Sequence, residues 1–573
     1  MRKGVFAMLL VLLLGASNSL AQKLTGGIYV QVLDPGGAAV AEVKASVVND
    51  ERGTKLDVLG SSDGVVNVPD LAPGTYKVMI QRDGFKTTTT TVTVRVGVTT
   101  SLEIRLEVGS LTASVMVEAS AVMVDSEKST VQGVIDSQQI ESLPLNGRNF
   151  LDLAQQAPGV QVVDGGTFDP TKNQMTGVSI GGRAGRSTRI QVDGVDITDE
   201  TVGTTVMNLT NESIQEFGLQ QSSLDVSTDL TSSGAINIIT KTGTNSFHGS
   251  GFGFFRRSDF GANNAPLSQD NPVKPEFTRD NYGGQLGGPF IPNKWFWHVE
   301  YEKLQQLGQN TTSVSQFPQF TGSFGVPVDE HMGGGRTDFN LTQNQRLFYR
   351  YNHDDNIGVT GFGGVGLSAF ANSNRANSHV VGWDYTKNSW VHSIRFSYLK
   401  FLNGIVDANA LAGTPSAVDP AGDQAQVNIT GIGGFLYGPN ILAPQTTYQE
   451  NKQIKYDGSW THGKHTLSMG IAYNRIADFG FFSFFALGPR VSAPYKSSGV
   501  FNLAADPFSS AGAADPLNFK LSQVIFGNGL GFGSEKPGFG KPFGTQYNNR
   551  LGIYMHDTWR ATHTLTLNAG LRM

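Results

Sequence analysis

The stretch TLSMGIAYN, residues 466–474, puts Thr466, Ser468, Gly470, Ala472 and Asn474 on one side of an extended chain. Leu467, Met469, Ile471 and Tyr473 fall on the other. A period of two marks a strand with one apolar and one wet face. The pattern recurs through the C-terminal half. Ser393, Arg395 and Ser397 alternate with Ile394, Phe396 and Tyr398; Arg550, Gly552, Tyr554 and His556 alternate with Leu551, Ile553 and Met555. Thr564, Thr566 and Asn568 alternate with Leu565, Leu567, Ala569 and Leu571. Short turns are expected at Thr342-Gln343-Asn344, Lys387-Asn388-Ser389 and Thr461-His462-Gly463, and long Gly/Phe/Asn-rich loops at 355–377, 403–450 and 477–545. Trp295, Trp297, Trp390, Trp460 and Trp559 fall near strand ends. Short turns on one side, long loops on the other and an aromatic girdle are the features of an antiparallel transmembrane barrel. A soluble sandwich or jelly roll would alternate too, but would not produce the turn asymmetry.

Composition agrees. Charged residues make up 16% of the 573, against about 25% in an ordinary soluble domain, while mean hydropathy is only −0.18. Strands that alternate apolar and polar residues average to neutral in this way. A net charge of −5 without a basic stripe gives no reason to expect nucleic acid. The absence of cysteine excludes disulfides, thiolate metal sites, a catalytic cysteine and a lipid-modified N-terminal cysteine. At the N-terminus, Met1-Arg2-Lys3 is a positive region, Phe6 to Leu14 an apolar one, and Ser19-Leu20-Ala21 a small-x-small site. Residues 1–21 therefore read as a signal peptide cleaved after Ala21, because the apolar run is far short of the ~20 residues of a spanning helix.

Residues 22–108 contain about seven short strands with turns at Asp34-Pro35-Gly36-Gly37, Ser62-Asp63-Gly64 and Asp83-Gly84-Phe85, which indicates a sandwich. Tyr29 to Gly36, Asp63-Gly64, Leu71 to Tyr76 and Gly84-Phe85 resemble the carboxypeptidase regulatory-like, transthyretin-type domain. The resemblance implies an accessory module without a peptidase site.

Residues 109–124 read as a polar, β-prone linker and 125–245 as one compact mixed domain, with short helices at Ser137–Leu143 and Asn149–Ala157. Its ordered motifs are Leu143 to Phe150 (LPLNGRNF), Ser179 to Arg183, Val192-Asp193-Gly194-Val195, and Ser213 to Phe217 followed by Ile236 to Gly249. Together they resemble the plug of TonB-dependent outer-membrane receptors of the Oar-like kind. The fold class is thus mainly β: an N-terminal transthyretin-like β-sandwich, an α/β plug domain and a partial antiparallel transmembrane β-barrel. The barrel is partial because 246–573 holds about eleven strands, against about 22 in plugged transporters. The strands are expected to form an open sheet, as in a C-terminally incomplete member of the family.

The resemblance implies no enzyme and no cofactor, and the residues agree. Gly361 to Gly366 satisfies G-x-G-x-x-G but sits in a Gly-rich loop with no following helix, as does Gly531 to Gly544. The ten histidines are scattered, with no metal-binding spacing. What the resemblance does imply is energy-coupled uptake of a large or scarce solute, such as a glycan (carbohydrate binding), a peptide or a metal chelate. Its partners would be outer-membrane lipid, a periplasmic TonB-type energy-transducing protein and the unknown solute ligand. In the family a TonB box lies between accessory domain and plug. Val115, Met116, Val117, Glu118 and Ala119 hold that place here and could pair with the partner's edge strand; a plain interdomain strand is the alternative. Arg183, Arg186 and Arg189 could face the lumen and draw an anionic ligand, or could simply solvate a loop or pair with barrel carboxylates. An outer-membrane-anchored adhesion or export-linked protein is the competing function. A third reading, a secreted carbohydrate-processing enzyme with an accessory sandwich, lacks any acid pair that the sequence nominates.

Overall fold

The computed structural model describes residues 25–109, 114–116, 132–169, 172, 174–221, 226, 228, 231–261, 274–312, 322–361, 368–387, 389–408, 425–430, 435–482, 489–494, 522–526, 546–562 and 565–573. The proposed signal peptide, Val117 to Ala119 and most of both Gly-rich loops lie outside them.

Seven strands open the chain: β1 (Gly26–Leu33), β2 (Lys44–Asn49), β3 (Thr54–Leu59), β4 (Val65–Leu71), β5 (Gly74–Gln81), β6 (Thr87–Val94) and β7 (Thr99–Arg105). They form two sheets, β4-β1-β7 and β3-β2-β5-β6. Alternate residues Ile28, Val30 and Val32 of one sheet meet Val47, Val78, Ile80, Val92 and Val94 of the other in a closed apolar core. Each such side chain contributes about 1.5–3 kcal/mol by leaving water. This is the sandwich that alternation predicts. One strand extends it: β8 (Ser114–Met116) adds to the β6 edge in parallel, Thr87 opposite Ser114 and Thr89 opposite Met116.

The next body comprises β9 (Gln132–Asp136), helix α1 (Ser137–Ser142), β10 (Val160–Asp164), β11 (Thr176–Ile180), β12 (Thr188–Val192), β13 (Val195–Asp196), β14 (Ile214–Gln220) and β15 (Gly234–Thr240). Its main sheet has the order β13-β12-β15-β14-β9, with β12 and β15 parallel. Asp136 and Gln139 form a capping box that starts α1. The second expected helix is a 3-10 helix over Phe150–Gln156 instead. Asn149 caps it, and Pro158 disfavours helical geometry just beyond it. Buried Phe150, Leu151, Leu153 and Ala154 tie it to the core of this domain.

The rest is dominated by β16 (His248–Arg257), β17 (Thr278–Ile291), β18 (Trp295–Thr312), β19 (Gly322–Thr342), β20 (Gln345–Gly361), β21 (Ala369–Lys387) and β22 (Trp390–Asp407). Two short strands follow, β23 (Gln426–Thr430) and β24 (Phe435–Tyr437), then the long β25 (Gln445–His462) and β26 (His465–Phe482). After β27 (Arg490–Pro494) and β28 (Gln523–Ile525) come β29 (Gln546–Arg560) and β30 (Thr566–Arg572). Eleven of these form one antiparallel sheet, β16-β17-β18-β19-β20-β21-β22-β25-β26-β29-β30, and among the described residues its end strands do not pair with each other. Both the strand number and the open sheet match the sequence reading.

The loops do not match it fully. Pairing continues to Gly361 opposite Ala369 and to Phe370 opposite Asp407, inside the stretches 355–377 and 403–450 assigned to loops. Within 477–545, β26 runs on to Phe482. Four strands inside the last two of these stretches make a separate sheet, β24-β23-β27-β28. Above the lipid a strand is not required to keep one face apolar, so alternation can fade while backbone pairing persists.

Candidate functional site: the plug–barrel interface

Inward-facing side chains of the large sheet are mostly polar and grip the plug, with Leu399, Phe401, Phe348 and Val380 adding apolar contacts. The turn between β12 and β13 is Asp193-Gly194, with φ of +46° and +86°. Such a two-residue turn needs left-handed backbone, which Asp tolerates and Gly favours. It aims the Asp193 carboxylate at the wall, where Arg350 of β20 donates at 2.8 Å and Arg336 of β19 lies at 3.3 Å. Thr240 at the end of β15 donates its backbone N–H at 3.0 Å and its hydroxyl at 2.7 Å. Burial pushes the Asp193 carboxyl up, but the two guanidiniums and Thr240 outweigh it and hold it below the ordinary range. Arg336 is also bidentate to Asp338, at 2.9 and 3.0 Å, so it is fully committed.

Three further contacts repeat this design. Arg148, from the LPLNGRNF motif, donates to Glu212 of the plug at 3.0 Å and to Glu302 of β18 at 3.2 Å, with Phe252 under its guanidinium at 4.0 Å. Asn208 donates through its backbone to Asp354 at 2.7 Å and through its amide to Glu330 at 2.7 Å. Gln449 and Gln453 of β25 exchange hydrogen bonds with the backbone of the 196–200 loop at 2.9–3.1 Å. Arg148 and Asp193 fall in sequence motifs, but their wall partners Arg336, Arg350, Glu302, Glu330, Asp354, Gln449 and Gln453 form none. The only sequence signal of these wall partners is a polar residue on the inward parity of a strand whose other face is apolar.

The proposed ligand-facing arginines part company. Arg189 is buried and paired with Asp196 at 3.0 Å and Glu200 at 3.2 Å; Glu200 in turn takes Arg550 of β29 at 2.7 Å. Arg183 and Arg186 are exposed on the loop before β12. Arg183 donates to the Ser232 carbonyl, and Arg186 donates to the Phe168 carbonyl at 2.9 Å. Because Asp193 sits near the short-turn rim, this loop at the other end of β12 faces the long-loop side.

At the rim itself the sandwich docks beneath the barrel. The Arg52 carbonyl accepts from Asn340 at 3.0 Å, Asn245 bonds the Asp50 and Glu51 carbonyls at 2.9 and 2.8 Å, and Arg560 lies 4.3 Å over the Tyr29 ring. A cavity of about 170 Å³ remains between them, lined by Arg52, Tyr76, Arg346, Asp384 and Arg395 among others. Sandwich and plug also meet directly. The Val96 N–H donates to Glu216 at 2.6 Å and Arg95 pairs with Asp136 at 3.0 Å. Burial raises the Glu216 carboxyl to about 7 against these favourable contacts.

Of the candidate TonB box, Val115 and Met116 lie in β8, hydrogen-bonded to the sandwich edge. Val117, Glu118 and Ala119 lie outside the described residues.

A plug bound within a lipid-faced antiparallel sheet is the arrangement of an outer-membrane barrel, and residues 239–325 and 319–573 match the outer membrane beta barrel domain. The chain belongs to that family. Residues 27–107 match the carboxypeptidase regulatory-like domain, as the sandwich motifs imply. The chain is similar to the TonB-dependent transporter Oar of Myxococcus xanthus, 22% identical over 629 residues, with 93% of this chain and 55% of the relative covered. The outer membrane transporter YddB of Escherichia coli shares the fold at a TM-score of 0.51 and 12% identity, over 77% of this chain and 56% of that one. The chain spans about half the length of the relatives it matches. The Oar-like resemblance and the mainly β, plugged-barrel fold class read from the sequence are borne out by these likenesses.

Proposed function

We propose that this chain carries the plug and part of the barrel of a TonB-dependent outer-membrane receptor, one that takes up a large or scarce solute (a glycan, a peptide or a metal chelate) using inner-membrane energy. The observation that carries the reading is the ionic plug–wall contact centred on Asp193, Arg336 and Arg350. A plug held largely by charges and amides in a mostly polar lumen can be pulled, rehydrated and reset more readily than one held by an apolar core alone.

In this reading the 115–119 segment is the handle. A periplasmic TonB-type protein would pair with it by β-augmentation, gaining main-chain hydrogen bonds along the segment. Ser114–Met116 already spends such bonds on β6, so the partner competes with the sandwich edge for the same backbone. Arg183 and Arg186 remain the candidates for drawing an anionic ligand from the long-loop side, while Arg189 serves the plug's own carboxylates.

The test is binding of the soluble C-terminal domain of a TonB-type protein to the full chain in detergent. Val117→Pro removes one donor and the β geometry around it, so binding should fall below detection. Undiminished binding by the variant would remove this segment as the handle.

A further inference from the structure

The outward face of the barrel wall carries two belts. The lower one follows the short turns and includes Trp295, Trp390, Trp460 and Trp559, with Trp390 and Trp460 stacked at 5.3 Å. The upper one contains Tyr301, Tyr351, His379, Tyr398 and Tyr473. On β22, eight residues separate Trp390 from Tyr398, which at about 3.4 Å each on strands tilted about 40° gives roughly 21 Å. Between the belts lie exposed Val381, Phe396, Ile454, Ile471 and Ile553. This is the lipid band, and its upper edge is the leaflet on the long-loop side.

Charge along that upper edge is balanced almost everywhere. Arg257 pairs with Asp280 at 2.5 Å, Arg375 with Asp355 at 2.7 Å, and Lys303 with Asp329. The exception spans β22, β25 and β26. Tyr398, Lys452 and Arg475 are successive register partners, with Lys400 opposite Glu450 two residues higher. Glu450 pairs with Lys452 at 2.6 Å and also accepts the Tyr448 and Tyr398 hydroxyls at 2.7 and 3.2 Å. Among the described residues Lys400 and Arg475 have no carboxylate partner; they lie over the rings of Tyr448 at 5.6 Å and Tyr547 at 4.6 Å. Three cations thus face one saturated carboxylate. Directly beneath them an open groove of about 510 Å³ runs between Val381, Phe396, Ile454 and Tyr473.

We propose that this groove is a binding site for a phosphate-bearing lipid of the long-loop-side leaflet. The headgroup phosphate takes Lys400, Lys452 and Arg475, and an acyl chain lies along Val381, Phe396 and Ile454. A cationic surplus at headgroup depth, set above apolar surface, is complementary to an anionic amphiphile and to neither half alone. The inference needs only the barrel in its membrane and is independent of what the receptor takes up.

The test uses the full chain in nanodiscs of phosphatidylcholine containing a minor fraction of phosphatidic acid. Retained lipids are read by native mass spectrometry after release. Phosphatidic acid should be retained well above its share of the bilayer, and K400Q/K452Q/R475Q should cut that enrichment about tenfold or more. K303Q, at a charge-balanced site in the same belt, should leave it intact. A wild-type chain with no enrichment overturns the site whatever the variants do, and so does an enrichment that the triple variant keeps. Displacement of phosphatidic acid by inorganic phosphate would show a headgroup-only anion site and overturn the lipid assignment. Heat-modifiable gel migration of each variant confirms that the barrel has folded.

Discussion

In the sandwich, Ile28, Val30, Val78, Ile80 and Val94 meet in a dry core with no ionised group among them. At the plug–wall contact the titratable groups Asp193, Arg336, Arg350, Glu302 and Asp354 are buried beside a smaller apolar part, in which Val195 meets Phe348 and Val380 and the plug core meets Leu399 and Phe401. Both regions are closely packed, but their free energies respond differently to water. An apolar core loses its stabilisation in proportion to the area wetted. Buried ion pairs start from a large desolvation penalty, so water entering the lumen returns much of what separating them costs. The comparison teaches that the same chain builds one body closed by apolar burial and another held largely by buried charges, which the function proposed above would use for movement.

The largest expected effect comes from breaking the ionic side. Asp193→Ala leaves Arg336 and Arg350 buried without their shared partner, at a cost of about 3–5 kcal/mol. Hydrogen exchange at the amides of β12 and β15 should accelerate accordingly, while β1 and β5 keep their protection. Unchanged exchange in β12 would show that the plug is held by something else. Next comes the apolar side. Ile80→Ala should cost about 2–5 kcal/mol, confined to melting of the sandwich and its amides. If plug exchange rose equally, the two bodies would be one cooperative unit.

The smallest effect lies at their junction. Burial pushes the Glu216 carboxyl up to about 7 in the folded chain, against about 4.5 for a free glutamate side chain, so the folded state binds the proton more tightly. That preference contributes stability fully below about 4.5 and is lost as pH rises through about 7. Protection of β9 and of the Val96 amide should therefore weaken between about pH 5 and pH 8. Glu216→Gln should flatten the dependence. A variant with the wild-type slope would assign the titration to another group.

How much of this was legible in sequence differs from element to element. Strands of the large sheet announce themselves where one face meets lipid, because parity is local and needs no knowledge of the partner strand. The reading failed where that face ends: β20 and β21 continue past the lipid band, with pairing but no alternation. Plug motifs were legible too, but not what they hold. Val192-Asp193-Gly194-Val195 reads as a tight turn, whereas the guanidinium it meets lies 157 residues away.

The sequence by itself therefore determined the sandwich, the lipid-faced strands and the presence of a plug, since each rests on periodicity and turn chemistry within a few residues. Only the tertiary structure decided that Arg189 is spent on Asp196 and Glu200 while Arg183 and Arg186 stay exposed. The same holds for the attachment of Ser114–Met116 to the edge of β6. Charge pairing and edge pairing depend on which groups are brought together in space, and nothing within a few residues of an arginine or a short β-prone segment encodes its partner.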